Sequence, residues 1–338
     1  MTGELSAADL EAAVTAGVID RATLQRLQAF TASRITARPD EEHFRLLTGF
    51  NDIFVTIGLA LFLGALSWLL TMASPWLASA GVAVASWGLA EIFTRQRRMA
   101  LPSIALLAVF VSSIFWLVLA IAGSSATLGD HPASAVIAGL VATAAAWAHW
   151  QRFHVPITVA AGFAALAASV IAALSVQWPD AISDHPLPVF LPIGLAAFAL
   201  AMRFDMSDRL RLTRRTDIAF WLHLLAAPLI VHPVVWGTVH LGEMDLPSAA
   251  LIIGLFLVLG FVALVVDRRA LLVSSLSYLA YAAGSLIVKA GFETSAYAVA
   301  VLVVGAIVLT LSVAWRPLRA ALLSLLPSRI TAAVPPAA

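Results

Sequence analysis

Residues 53–70 read IFVTIGLALFLGALSWLL, eighteen consecutive residues without a charge. A helix needs about 20 largely apolar residues to cross a bilayer, because it rises about 1.5 Å per residue through a hydrocarbon core about 30 Å thick. A scan at that width finds ten such segments, at residues 50–73, 75–94, 99–122, 132–150, 154–175, 187–203, 217–239, 247–266, 270–289 and 295–315. The sequence therefore predicts an all-α, polytopic transmembrane helical bundle of about ten helices.

The composition supports this fold class. Hydrophobic residues make up 61% of the chain and charged residues 12%, whereas soluble domains have about 25% charged residues. We therefore expect the lipid bilayer to be the main partner of the chain. The net charge is +1, so nothing indicates a nucleic-acid partner.

Basic residues lie on alternate connections between the predicted helices. They occur at residues 95–98, at Arg152, at residues 209–215 and 267–269, and in the tail, whereas Lys289 lies alone on the opposite side. Cytoplasmic connections are enriched in Lys and Arg. The pattern predicts a multi-pass protein of a bacterial inner membrane with both termini in the cytoplasm. We interpret the longest connection, residues 203–217, as orienting charge that can also contact anionic lipid.

Three regions follow from the distribution of polar residues. Residues 1–48 predict a short cytoplasmic helical hairpin and an interfacial helix, residues 49–316 the transmembrane bundle, and residues 317–338 a cytoplasmic amphipathic segment with a disordered tail. In the hairpin, Gly17 can end the first helix and Asp20 can cap the second.

The hairpin is a candidate docking site. Leu24 and Leu27 share one face of its second helix. Residues 1–35 are therefore a candidate contact for a cytoplasmic protein partner.

The start of the chain resembles a known family. The motifs are LEAAVTAGVIDRATLQRLQAF (10–30) and HFRLLTGFNDIFVTIGLALFLGAL (43–66). They resemble an uncharacterised family of predicted bacterial membrane proteins with a DUF2157-like N-terminal region. In that family a short cytoplasmic helical hairpin precedes a run of transmembrane helices. The resemblance implies this topology and assigns no activity and no functional residues.

Few residues offer catalytic or cofactor chemistry. The chain has no cysteine, which excludes disulfides, thiolate catalysis and Cys-ligated metals. It lacks the nucleophile-elbow, zincin, P-loop and dinucleotide-binding motifs. The predicted helix centres contain no Asp, Glu, Lys or Arg, which disfavours a carboxylate proton relay. We therefore expect no enzyme activity, no cofactor and no metal.

The triplet Asp-His-Pro occurs at residues 130–132 and 184–186, each time before a predicted helix. Asp accepts hydrogen bonds from the free N–H groups of a helix start, and Pro suits the first turn. We interpret both triplets as helix starts. The alternative is a metal site with imidazole and carboxylate ligands from separate outer loops, but no His-x-x-His or Glu-x-x-His spacing supports it.

The seventh and ninth predicted helices carry the candidate substrate path. Prolines interrupt the backbone of the seventh helix, and such backbone is tolerated in a membrane only against protein or a water-filled cavity. Polar residues of the ninth helix recur at spacings of four, three, four and four, which places them on one face. The candidate path residues are His223, Pro228, His232, Pro233, Ser274, Tyr278, Tyr281, Ser285 and Lys289. The alternatives are packed histidines and hydrogen bonding between helices.

The sequence is compatible with two functions. The first is binding or transport of a small solute or lipid by a bundle in which the seventh and ninth helices line the path. The alternative is a non-transporting membrane scaffold or assembly component that docks a partner through its N-terminal hairpin. Two packing predictions are independent of this choice: Glu91 pairs with Arg95, and the Ala- and Gly-rich fourth and fifth helices approach closely.

Overall fold

The computed structural model describes residues 10, 13–26, 50–123, 132–178, 184–239, 246–289, 291 and 295–336. These residues are helical or lie in turns, and none of them forms a β-strand. The helices are α1 (Phe50–Thr71), α2 (Pro75–Ala90), α3 (Ala100–Ile121), α4 (Pro132–Phe153), α5 (Ile157–Gln177), α6 (Leu187–Ser207), α7 (Arg215–Val239), α8 (Leu246–Val266), α9 (Ala270–Lys289), α10 (Ala296–Leu325) and the short α11 (Ser328–Thr331). A π-helical turn, Glu91–Gln96, extends α2.

The predicted fold class is confirmed. Ten of the described helices are long and apolar enough to cross a membrane. Their order and position match the ten predicted segments, because a continuous apolar run of this length can satisfy its backbone in lipid only as a helix. The chain is therefore an integral, multi-pass membrane protein.

Two helices, α6 and α10, show the largest extensions beyond their predicted ends. Helix α6 continues to Ser207 instead of residue 203, because its last turn carries a charged residue that has partners in the folded bundle. Helix α10 continues to Leu325 instead of residue 315, although Pro317 lies inside it. The loss of one backbone hydrogen bond at Pro317 is accommodated here without ending the helix.

Two helices organise the packing. Helix α3 contacts α1, α2, α4 and α5, and helix α7 contacts α5, α6, α8 and α9. Half of the apolar window of α7 is buried, the largest share among the ten spans, whereas α1 and α10 are mostly exposed. Exposed apolar surface on a transmembrane helix faces lipid, so α7 lies inside the bundle and α1 and α10 lie at its periphery.

Small residues allow close helix contact, as predicted for α4 and α5. A Cβ atom built on Gly139 would lie 2.7 Å from Ser169 Cβ and 2.8 Å from the Ala165 carbonyl oxygen. Ser169 Oγ also donates to the Val136 carbonyl oxygen across the helix pair, at 2.8 Å. This combination of close packing and an interhelical hydrogen bond is the usual means of association between helices in lipid.

The connections that follow the even-numbered helices α2 to α8 share a backbone feature. Each contains a non-glycine residue with positive φ: Arg98 (52°), His154 (53°), Arg211 (56°) and Asp267 (65°). Left-handed backbone is costly for a residue with a Cβ atom, less so for Asp. These connections lie at one end of the bundle, which we call the arginine-rich end and define as residues 95–99, 152–156, 207–216, 266–269 and 316–329.

The segment after residue 316 differs from the predicted amphipathic stretch and disordered tail. It comprises the end of α10, helix α11 and residues 332–336. Val334 is 4% exposed and packs in one apolar cluster with Val265 and Leu323. The described part of the tail is therefore folded against the bundle.

Residues 1–43 belong to a compact unit distinct from that of residues 44–337. Its described part contains helical residues 13–15 and 21–26. Gly17 has the left-handed conformation, with φ of 69°, and Asp20 Oδ1 accepts a hydrogen bond from Thr23 N at 2.9 Å, as predicted. Leu24 is buried, and Leu27 lies outside the described residues.

Candidate functional site

A buried carboxylate lies at the end of α6. Asp205 is 2% exposed and belongs to the last turn of this helix. The sequence interpretation assigns it to a solvated loop of orienting charge, and that interpretation is wrong for this residue. A charge buried in this way is costly unless it is paired, so its partners decide its role.

Two side chains from other elements bind this carboxylate. Arg268, from the connection between α8 and α9, donates through Nε to Asp205 Oδ2 at 3.2 Å and through Nη2 to Asp205 Oδ1. His223 of α7 lies with Nε2 2.8 Å from Asp205 Oδ2. Because an ionised carboxylate only accepts, Nε2 carries the hydrogen. We call these three residues the Asp205 cluster.

The members of the Asp205 cluster are all buried. Side-chain exposure is 0% for His223, 2% for Asp205 and 1% for Arg268. Arg268 Nη2 also donates to the Thr216 carbonyl oxygen at 3.1 Å, which ties it to the first turn of α7. The Phe198 ring of α6 covers the imidazole of His223, with 5.3 Å between ring centroids.

A second charged group lies one residue away along the chain. Trp315 Nε1 donates to Asp267 Oδ1 at 2.9 Å, and both Arg211 Nη1 and Arg319 Nε lie 3.2 Å from the Asp267 carboxylate. The adjacent residues Asp267 and Arg268 therefore bind different elements. Asp267 binds side chains of α10 and of the α6–α7 loop, and Arg268 binds α6 and α7. This turn therefore connects α6, α7 and α10 with the α6–α7 loop.

The loop between α6 and α7 is organised by a third carboxylate. Asp208 accepts hydrogen bonds from Leu212 N at 3.1 Å, Thr213 N at 2.8 Å and Thr213 Oγ1 at 2.7 Å. Thr216 Oγ1 donates to it as well, at 3.1 Å. Partial burial raises the pKa of Asp208, but the hydrogen bonds from Thr213, Leu212 and Thr216 outweigh it and hold the pKa below its ordinary value. This ionised carboxylate fixes the entry into α7.

The C-terminal tail closes the same end of the bundle. Arg319 is 3% exposed and donates to the carbonyl oxygens of Leu264, Pro335 and Pro336. Arg209 Nε donates to the Val334 carbonyl oxygen at 3.2 Å. The guanidinium groups therefore hold the tail by its backbone, and the buried Val334 side chain adds an apolar contact with the bundle.

The predicted path residues divide between two places. His223 belongs to the Asp205 cluster. His232 Nδ1 and Tyr278 OH form a hydrogen bond that joins α7 to α9, and the Trp236 ring lies 5.2 Å from the His232 ring. His223 is fully buried, whereas His232 is exposed.

The other predicted path residues contribute less. Ser285 Oγ donates to the Tyr281 carbonyl oxygen of its own helix, at 3.0 Å, and Tyr281 and Ser274 are half-buried. Lys289 is exposed at the end of α9, and both Pro228 and Pro233 lie inside a helix that is continuous from Arg215 to Val239. Pro228 is exposed and Pro233 buried.

The arginine-rich end also contains an exposed charged group. Glu91 pairs with Arg95 at 3.2 Å, as predicted, and also with Arg152 of α4 at 2.6 Å. His149, one turn before Arg152, is fully buried beside Phe153, with 4.5 Å between ring centroids. Aromatic side chains therefore enclose His149 within the bundle.

Metal chemistry receives no support in the part of the chain that the structure describes. No group of three or more His, Asp or Glu side chains there is arranged to hold a metal ion. The Asp-His-Pro residues 130–131 and the outer residues 240–245 lie outside the described ranges, so the helix-start interpretation stays a prediction there. At the second triplet, α6 begins directly after Pro186, as predicted, but Pro186 rather than Asp184 occupies the N-cap position and no side-chain cap hydrogen bond is present, so the predicted Asp cap is wrong for this helix.

Comparison with known proteins adds no identification: no family model, curated protein or solved structure matches the chain. The resemblance of residues 10–66 to a family of bacterial membrane proteins therefore stays a prediction. The function has to be argued from the geometry of the bundle.

Proposed function

We propose that this integral membrane protein binds or transports a small solute or lipid, in a non-enzymatic role, with α7 at the centre of the path. The observation that carries the proposal is the Asp205 cluster. It places a carboxylate, an imidazole and a guanidinium inside two apolar spans and the turn beside them, and ionisable groups buried in a membrane bundle are functional candidates by default.

Stability alone is a weak reason for such a cluster. Taking charges out of water costs several kcal/mol per ion, and well-packed apolar replacements of a buried pair are often as stable or more stable. Only the interruption of an existing pair is strongly destabilising. A sequence that retains three ionisable groups here is therefore better explained by a use for them.

The contact between α7 and α9 supports the proposed path. The hydrogen bond between His232 and Tyr278 joins two helices of the path at exposed and half-buried positions. Solute or lipid can reach an exposed histidine, whereas the buried Asp205 cluster can be reached only after a rearrangement. We therefore assign His232 and Tyr278 to recognition and the Asp205 cluster to control.

The arginine-rich end also supports an orientation of the bundle in the membrane. The arginine-rich end contains most of the basic residues of the connections, and the positive-inside rule places such an end in the cytoplasm. We propose that the arginine-rich end faces the cytoplasm of a bacterium and that Lys289 faces outward.

The competing docking function has less support. It requires an exposed apolar face on the hairpin, and Leu24 is 4% exposed. One of the two side chains required on that surface is therefore buried.

A thermal-shift screen of the detergent-purified chain tests the proposal. The panel contains inorganic anions, amino acids, sugars, nucleobases and short-chain phospholipids. A ligand that binds only the folded state adds about 2.7 kcal/mol of stability at a hundred times its Kd. We expect a dose-dependent rise in melting temperature for one class, reduced in His232→Ala and retained in the matched control His185→Ala, an exposed histidine away from α9.

A rise that His232→Ala and Tyr278→Phe leave intact contradicts the assigned recognition site. The absence of a rise across the panel contradicts solute or lipid binding. In that case, capture of a partner that is lost on deletion of residues 1–35 is the measurement for the docking function.

A further inference from the structure

The second nitrogen of His223 defines a site of its own. With Nε2 bound to Asp205, the Nδ1 atom is buried, and no hydrogen-bond partner for it occurs among the residues that the structure describes. In the neutral imidazole this atom carries a free lone pair and is the only remaining position for a proton. The site for that proton already exists in the folded bundle.

The charge balance of the cluster decides what protonation does. Asp205 carries one negative charge and Arg268 one positive charge, so the cluster is neutral while His223 is neutral. A proton on Nδ1 gives the buried cluster a net charge of +1 and creates an N–H group without an acceptor. Both effects are costly in a low-dielectric environment.

The surroundings of His223 offer little compensation for this charge. The charged groups that act on it are Asp205 from α6, Arg268 from the α8–α9 connection and Arg211 from the α6–α7 loop, so that two of the three are cationic. Apolar side chains of α5 and α9, such as Val159 and Leu271, belong to the clusters that pack against α7. A protonated His223 is therefore stabilised best when water reaches it.

We infer that His223 is a proton-binding site of the bundle, and that uptake of a proton at Nδ1 opens the arginine-rich end between α6 and α7. By linkage, a ligand that binds one conformation better shifts the population towards it. The proton is that ligand, and the open conformation binds it better because water can solvate the N–H group. The inference rests on the proposed function only in naming the ion that is coupled to the path.

A contrasting histidine shows why the inference concerns His223. His149 is also fully buried and has an unpartnered Nε2 among the described residues. Its contacts are the hydroxyl of Thr158, 3.4 Å from Nδ1, and aromatic rings. No carboxylate of the described residues bonds to it, so its protonation lacks an anion that would hold the resulting imidazolium in place. His149 therefore serves as an internal control.

The first experiment measures the protonation directly. The wild-type chain in lipid nanodiscs is incubated in deuterated buffers from about pH 5 to about pH 9, the range in which histidine titrates. Deuterium exchange at the imidazole C2 position of each histidine is then read by mass spectrometry. We expect a sigmoidal titration for His223 and a flat profile for His149. A flat profile for His223 overturns the inference.

The second experiment measures the opening. The chain has no cysteine, so single cysteines can be introduced at Ala201, which is 0% exposed on α6, and at the exposed Ser207 of the same helix. The labelling rate with a maleimide at the first position is divided by the rate at the second, which removes the intrinsic effect of pH on thiols. One-proton linkage predicts a rise of up to about tenfold per pH unit as the pH falls.

The variant His223→Gln separates titration from structure. The Gln amide can donate to Asp205 as Nε2 does but takes up no proton in this range. We expect its labelling ratio to be independent of pH. An unchanged pH dependence in His223→Gln overturns the inference, as does a ratio that stays constant in the parent chain.

The two proposals fail separately. A titrating His223 with a pH-dependent ratio, but with no ligand found in the thermal-shift panel, supports the proton site and contradicts solute binding. A confirmed ligand with a flat His223 profile supports solute binding and contradicts the proton site.

Discussion

Interruption of the Asp205–Arg268 pair is predicted to cost far more than interruption of an exposed pair in the same chain. The side chains are 2% and 1% exposed, so either partner alone would be a charge with little access to water. Removal of one member of a buried pair costs about 3–5 kcal/mol, mainly because the other member stays buried and unpaired. We expect this cost for Asp205→Asn and for Arg268→Met.

The double variant distinguishes a leftover charge from lost packing. In Asp205→Asn with Arg268→Met, neither charge remains, and Asn can still accept the hydrogen bond from His223. The cost of the double variant should therefore fall short of the sum of the single costs by about 2 kcal/mol, within the range measured for residues in contact. Exposed pairs are worth at most about 1 kcal/mol, so Arg95→Met is the matched control, since Arg95 is 54% exposed in its pair with Glu91.

The assay is reversible unfolding in mixed micelles, followed by the fluorescence of the ten tryptophans of the chain. Single costs that add within about 0.5 kcal/mol would refute the charge argument, because independent sites are additive to that degree. Equal costs for Arg268→Met and Arg95→Met would refute it as well.

Three further predictions concern packing, the α6–α7 loop and the tail. Gly139→Ala adds a Cβ atom 2.7 Å from Ser169 Cβ and should lower the free energy of unfolding by about 1–3 kcal/mol in the same assay. The difference in melting temperature between wild type and Asp208→Asn should be constant above about pH 5 and shrink as the pH falls through the lowered pKa of Asp208. The reason is that a carboxyl group with a lowered pKa stabilises the fold only while it is ionised. Val334→Asp should release the tail and speed trypsin cleavage after Arg319, which is 3% exposed, as read by mass spectrometry.

The packing and tail predictions each have a control in the same chain. Gly58→Ala should be neutral, because nothing lies within 4 Å of a Cβ atom there. Ala332→Asp places the same charge at an exposed tail position and should leave cleavage unchanged. A pH-independent difference for Asp208→Asn would show that the carboxylate charge does not organise the loop.

The spans were predictable because their signal is local. Each apolar run is long enough by itself to require a helix in lipid, and the arginines of alternate connections mark one side. The same locality explains the errors at α6 and α10. A hydropathy scan ends a span at its first charge, such as Arg203, although the helix continues wherever later charges such as Asp205 find partners.

The Asp205 cluster was not predictable in this way, because its members are distant in sequence. Asp205 and Arg268 are separated by 63 residues, and only the packing of α6 and α7 against the α8–α9 connection brings them together. A weak signal exists: carboxylates at 205, 208 and 267 occur among the arginines of connections that need only positive charge for orientation. Acidic residues contribute little to orientation, so their presence there indicates pairing.

The arginines of these connections contribute to orientation during insertion and to ion pairs after folding. During insertion, the arginines of these connections need only remain on one side of the membrane. The free-energy cost of a charge near a helix end is low, because a long side chain can reach the interface. After folding, Arg211, Arg268 and Arg319 are almost fully removed from water, whereas Arg95 and Arg152 stay exposed. The exposed arginines are sufficient to explain the topology. The buried ones are explained by the carboxylates they pair with: Asp267 for Arg211 and Arg319, and Asp205 for Arg268. The second pair belongs to the neutral Asp205 cluster, whose charge balance one proton on His223 would upset.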